Sequence, residues 1–217
     1  MKSDRKAMKT LGCLLAGLMV AGAGLVQQAR AADAKPSAMV KLSELNSEVH
    51  MLRQNLSRTM SALEEVKAAA ANNGDLTKAY GSFSSAYGDL ETQVQKVREQ
   101  GTAARARAKE HYEAWQKELT EMQNPALREK AQKRFTAASG EFQKINDRIS
   151  DAKEKFAPLA ADLKDINTYL KTDLSNDAVS SLSNTIWKMG GAAKSVDGKL
   201  ADVNEQIEKT MRKLPQS

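Results

Sequence analysis

One cysteine, two histidines and four prolines are all that these 217 residues hold of the side chains that staple, ligate or interrupt a chain. The cysteine, Cys13, lies early in an apolar N-terminal run. Leu11-Gly12-Cys13 resembles the end of a lipobox, but a lipidated cysteine follows the apolar region, and most of that region comes after Cys13. Once the N-terminal segment is removed no thiol remains, so disulfides cannot hold the mature chain together. His50 and His111 stand alone, with Ser47 and Ala108 three positions before them where a di-iron bundle would carry glutamates. Haem attachment through Cys-x-x-Cys-His is impossible, and zinc finds no ligand set. Both histidines read as polar surface or seam-edge residues, and no metal or other cofactor is expected.

Phosphate chemistry is missing as well. Gly198-Lys199-Leu200 has no Ser or Thr to hold magnesium, and Ala193 stands where the first glycine of a phosphate loop belongs. Gly190-Gly191 sits in a helical repeat and follows no strand. Carboxylates are many, but none occupies a core position of the apolar seams, where burial would tune one into an acid or base. A nucleophile with an oriented base cannot be assembled from this inventory, which reads as a non-enzyme.

Excess charge is also scarce. The formal net charge is +6, but Lys2, Arg5, Lys6, Lys9 and Arg30 against Asp4 place +4 of it before Ala32 and leave +2 for the rest. Interleaved, nearly balanced charge is a solvated surface, so no nucleic-acid partner is expected.

The N-terminus has the build of a secretory signal: a basic segment from Lys2 to Lys9, an apolar run from Leu11 to Val26, and small residues at Ala29 and Ala31. Residues 1–31 are expected to be cleaved, giving a periplasmic protein. The run is short of the roughly 20 residues that span a bilayer comfortably. An uncleaved segment anchored in the inner membrane is the alternative, and membrane contact otherwise is at most peripheral.

What is abundant is helical periodicity. Leu42, Leu45, Val49, Leu52, Leu56, Thr59, Leu63, Val66 and Ala70 keep one heptad frame, broken in character only by Thr59. Similar three-four spacing runs from Leu76 to Ala108, from Leu127 to Leu170 and from Val179 to Leu214. The reading is all-α: a flexible leader over residues 32–37, then a single domain (38–217) with helices at about 38–72, 76–123, 125–171 and 176–214. Ser37, Asp75 and Ser175 are cap candidates, Gly74 suits a left-handed helix end, and Pro125 suits a first helical turn. Pro158 falls inside an unbroken frame, so it should kink the third helix without ending it. Short connections favour an up-down-up-down bundle of antiparallel helices. The narrow seams equally suit extended coiled-coil hairpins.

Two local features carry further expectations. Gly101, Ala104 and Ala108 put small residues on the seam, read as close helix approach over a thin, flexible waist. Helix lengths, counted from each turn, place Leu45, Ala104, Ile145 and Val203 at one level and the outer helix ends beside His111 to Trp115. Helices two and three then project some twelve residues, about 18 Å, beyond their partners. The projection carries Trp115, Leu119, Met122 and Leu127, which form a partner-binding tip if uncovered; if the two helices cover each other there, the tip is only structural.

From His111 onward stand Tyr112, Trp115, Glu118-Leu119, Pro125-x-Leu127-Arg128, Phe142, Pro158-Leu159, Asp165, Tyr169-Leu170-Lys171, Leu174 and Ala178. In these the chain resembles an uncharacterised bacterial family, DUF2959. The resemblance covers most of the mature chain, weakly before about Gly74, and implies an exported, all-helical protein, often lipid-anchored, with no established activity and no functional residues to carry over. The expected role is therefore a structural or protein-interaction one in the cell envelope, with envelope proteins or a second copy (through the seams) as partners. A periplasmic holdase chaperone and a membrane-surface binder using Arg105, Arg107 and Lys109 are the alternatives.

Overall fold

A computed structural model describes residues 28–213, with side chains from Met39 onward. Among the described residues the secondary structure is entirely helical: α1 (Gln28–Ala71), α2 (Leu76–Glu121), α3 (Pro125–Thr172), α4 (Asn176–Ser181) and α5 (Ser183–Lys213). The three long leading helices have 44, 46 and 48 residues, which at 1.5 Å per residue makes each about 65–70 Å long. The basic and apolar parts of the expected signal (Lys2 to Val26) lie outside the described residues.

α1 starts ten residues earlier than the sequence periodicity suggests. The expected leader, residues 32–37, and the expected cap Ser37 lie inside it. Alanine is the strongest helix former, and Ala29, Ala31, Ala32, Ala34 and Ala38 extend the helix where no seam residue marks it. The expected fourth helix is interrupted at Leu182. There the N–H of Leu182 donates to the Val179 carbonyl (3.0 Å), one residue short of the α-helical span, and the regular ladder resumes with Ile186 N–H to Leu182 O at 2.9 Å. Ser180, Ser181 and Ser183 surround the break, and the Ser181 hydroxyl donates to the Ala178 carbonyl (2.6 Å), the local competition with the helix ladder that serine favours.

The caps follow simple chemistry. Asp75 accepts from the Lys78 N–H, Asn124 from Ala126 and Leu127, and Ser175 from Ala178. At the end of α1 the left-handed residue is Asn73 (φ 51°), not Gly74. The Gly74 N–H spans the turn to the Ala69 carbonyl at 2.7 Å, which closes a Schellman-type end one residue earlier than expected. α3 passes through Pro158 without ending, and Leu159, Leu163, Ile166 and Leu170 beyond it are all buried.

α1 packs along α2 and α5, and α3 packs along α5; α2 and α3 touch least among these neighbours. Every cross-helix pairing runs in opposite directions along the two sequences. Glu48 meets Gln93 and Thr59 meets Ala86 between α1 and α2. Asn46 meets Asn204 and Arg53 meets Asp197 between α1 and α5. Tyr80 meets Asn167 and Arg105 meets Asn146 between α2 and α3. The core is a continuous apolar cluster in which Leu45, Leu56, Leu63, Phe83, Leu163 and Ile186 are fully buried. Thr59, the polar exception on the α1 seam, is 0% exposed because its hydroxyl is shared with the carbonyls of Asn55 (2.8 Å) and Ala86 (3.0 Å).

Gly101 does not serve close approach. A methyl group built on it meets nothing within 4 Å, and the same holds at Gly140 and Gly191. These glycines carry the entropic cost of a helix interior without a packing return. Gly101→Ala should therefore raise stability by up to about 1 kcal/mol, read as a higher urea midpoint with unchanged slope. A drop in the midpoint would show a packing demand at Gly101.

Candidate functional site

The hairpin end where α2 turns into α3 holds the residues singled out in the sequence. Asn124 has an extended backbone (φ −78°, ψ 111°), as the residue before Pro125 must, and its side-chain oxygen receives the first two N–H groups of α3. The two helices are then zipped by aromatic side chains. Tyr112 meets Phe135 edge-on with centroids 5.8 Å apart and lies 6.2 Å from Phe142. Trp115 also meets Phe135 edge-on, at 5.5 Å, and His111 lies 5.8 Å from Trp115. Such pairs add about 0.5–1.5 kcal/mol each beyond area burial. The Tyr112 hydroxyl donates to the Ala138 carbonyl at 2.9 Å, and burial raises that phenol to about 12.

This geometry divides the four proposed tip residues. Leu119 is buried at 3% exposure, while Trp115 and Met122 are half-buried and only Leu127, at 57%, is open. Trp115 is committed to the aromatic zip. Its partner across the hairpin, Phe135, belongs to the α3 seam, where the sequence shows it only as spacing. Arg105, a candidate membrane contact, instead donates to Asn146 at 3.0 Å; Arg107 and Lys109 pair with Glu110 and Glu113 on their own helix.

The projection is longer on the α5 side. Lys213, at the end of α5, meets Glu141 of α3 at 2.7 Å, so the sixteen residues from Pro125 to Gly140 run on past it. On the other side, the register set by Glu48 and Gln93 brings the start of α1 to about the level of Glu113, within the His111–Trp115 stretch expected for it, because the earlier start of α1 offsets a shifted register. Glu141 forms the clasp at the step. Its carboxylate accepts from Lys213, Lys144 and Gln206, and Gln206 is braced in turn by Thr210. The two ammonium donors dominate over partial desolvation and hold the carboxyl at about 2. A seam-based reading misses this group, since Glu141 lies off the apolar stripe.

A second feature is a groove of about 310 Å³ where α2 and α3 separate, lined by Tyr87, Leu90, Val94, Phe156 and Leu163 with Glu91, Arg98 and Lys164 at its rim. Tyr87 donates to Glu91 at 2.8 Å, and burial is the first cause of the raised pKa of its phenol. His50 lies 3.8 Å from Glu208 at the exposed α1–α5 edge. Among the described residues no group of three His, Cys, Asp or Glu is placed to hold a metal, and no helix is long and apolar enough to cross a membrane.

The family model described as "Protein of unknown function (DUF2959)" matches residues 31–214. No curated protein and no solved structure matches.

The clasp makes acid stability specific. The Glu141 carboxyl is depressed in the folded state, so its contribution is complete above the unfolded value near 4.5 and is lost as pH falls toward about 2. After solvent screening the contribution is on the order of 1 kcal/mol. Glu141→Gln should lower the urea midpoint at neutral pH and narrow the difference from wild type between pH 4.5 and 2. A difference that stays constant over that window would remove the clasp from the account.

Proposed function

The chain belongs to the DUF2959 family, and from that premise we propose that it is an exported, non-catalytic helical protein that docks an envelope partner through its α2–α3 hairpin end. Its long elements act as a closed up-down-up-down bundle, with α4 and α5 as one interrupted fourth helix. Support for closure over separate hairpins comes from the Arg53–Asp197 and Asn46–Asn204 pairs, which tie the first helix to the last. Support for export comes from the basic, apolar and small-residue segments at the N-terminus.

The single observation that carries the docking role is the length mismatch. α3 continues past the end of α5, and its exposed leucine, Leu127, sits on the part that projects. With the half-buried Ala131 and Ala138 on the same stretch, Leu127 offers an apolar strip for a partner to cover. A holdase role is the second reading, favoured by the apolar α2–α3 groove. The membrane-surface reading loses ground because Arg107 and Lys109 are paired within α2 and Arg105 is turned toward α3.

A photo-crosslinking residue at Leu127, in the full chain expressed in cells, should give one discrete adduct in the periplasmic or envelope fraction, with none from the exposed mid-helix position Ser57. Equal labelling at both positions, or none at Leu127, would overturn the docking role.

A further inference from the structure

We propose that the hairpin end binds an acidic amphipathic helix of its partner, which lies on α3 in the path that α5 would follow beyond Lys213. This rests on the docking role above and names the chemistry of what docks. The geometry comes from heptad positions along α3. Ile145 and Ala152 share one position and are buried, at 1% and 4%; Ala138 and Ala131 continue that position past the end of α5 and are only half-buried. Glu141 and Arg148 share another, and both reach α5, Glu141 to Lys213 and Gln206, Arg148 to Asp202 at 3.7 Å. Seven and fourteen residues before Glu141 stand Arg134 and Leu127, in the same position and exposed. The helix-binding face of α3 therefore continues past Lys213, the last described residue of α5.

Charge selects the occupant. From Pro125 to Gly140, α3 carries Arg128, Lys130, Lys133 and Arg134 against Glu129 alone. Lys133 is satisfied by Glu129 at 2.7 Å, while Arg128, Lys130 and Arg134 have no ion-pair partner among the described residues. Further along, the same face meets α5 through alternating signs, with Asp151 to Lys199 and Arg148 to Asp202. A helix laid on the projecting part meets two alanines and a leucine flanked by uncompensated cations. Its complement has small or apolar residues at heptad spacing with Glu or Asp beside them. An anionic bilayer would also satisfy the cations, but only Leu127 offers an open apolar side chain for insertion, whereas the heptad register fits a helix.

The probe is a fluorescent three-heptad peptide of Ala, Leu and Glu, compared with the same peptide carrying Lys for Glu, titrated by anisotropy with the purified mature chain. The acidic peptide should bind, more weakly as salt rises, and the lysine peptide should not. Arg134→Glu and Lys130→Glu should each weaken binding about ten-fold with unchanged circular dichroism, and Leu127→Asp should abolish it. Equal binding of both peptides would overturn the proposal. So would binding to phosphatidylglycerol vesicles without peptide binding, or a wild-type dimer in sedimentation that Arg134→Glu dissociates. If Leu127 crosslinks a partner in cells and the acidic peptide does not bind, the docking role stands and the acidic-helix assignment fails. If nothing crosslinks at Leu127, the docking role itself fails.

Discussion

Burial of the α1 seam between α2 and α5 is the constraint on which everything else depends. From Leu42 to Ala70 that seam faces both neighbours, and α2 and α3 share so little contact that α1 and α5 bridge the two hairpins. The described side chains include no disulfide and no metal cluster to share the work. Apolar contact is non-directional, however, and a helix slid by one heptad along such a seam would bury nearly the same area. Something else has to fix the register.

Polar groups at the seam edges supply it. Gln93 of α2 donates to both the carbonyl and the carboxylate of Glu48, Asn204 of α5 donates to the carbonyl and side chain of Asn46, and Gln206 reaches Glu141. Gln93 and Asn204 are 2% and 3% exposed, so a slipped register would strand their amides in the core. An orphaned buried amide costs about 1–3 kcal/mol, more than the small apolar difference between registers. Such contacts add little net stability where they are made and penalise the alternatives where they are not, as a single polar core residue does in coiled coils.

That division explains what could be read in advance. Helix identity, the Asn124-Pro125 turn, the caps at Asp75 and Ser175 and continuity through Pro158 follow from periodicity and local chemistry, both of which lie within a few residues of one another in the chain. The left-handed residue at Asn73, the interruption at Leu182 and the room around Gly101 turn on backbone detail or on the helix opposite. The pairings of Gln93, Asn204 and Glu141 depend on which side chain stands across the seam, and one-dimensional spacing carries no record of that. At the hairpin end the apolar residues could be named, but Leu119 and Leu127 have the same hydropathy and opposite exposures. What separates them is where neighbouring helices stop.

The hairpin end also explains a concentration of residues that are otherwise rare. The chain has ten aromatic residues, and Tyr112, Trp115 and Phe135 gather where α3 runs on past Lys213, with Phe142 at the step. Ordering sixteen extra residues costs on the order of 1–2 kcal/mol each in backbone entropy, offset in the bundle by contacts with several helices. Past Lys213, the last described residue of α5, each side chain facing α2 must bury more surface and make more specific contacts. Aromatic rings do both, at 150–250 Å² apiece with edge-to-face geometry. The α2-facing side of α3 is thereby braced by rings, while past Lys213 its other side presents Ala131, Ala138, Leu127 and cations without an ion-pair partner among the described residues. Rigidity on one face is what lets the other face stay open without the hairpin end fraying.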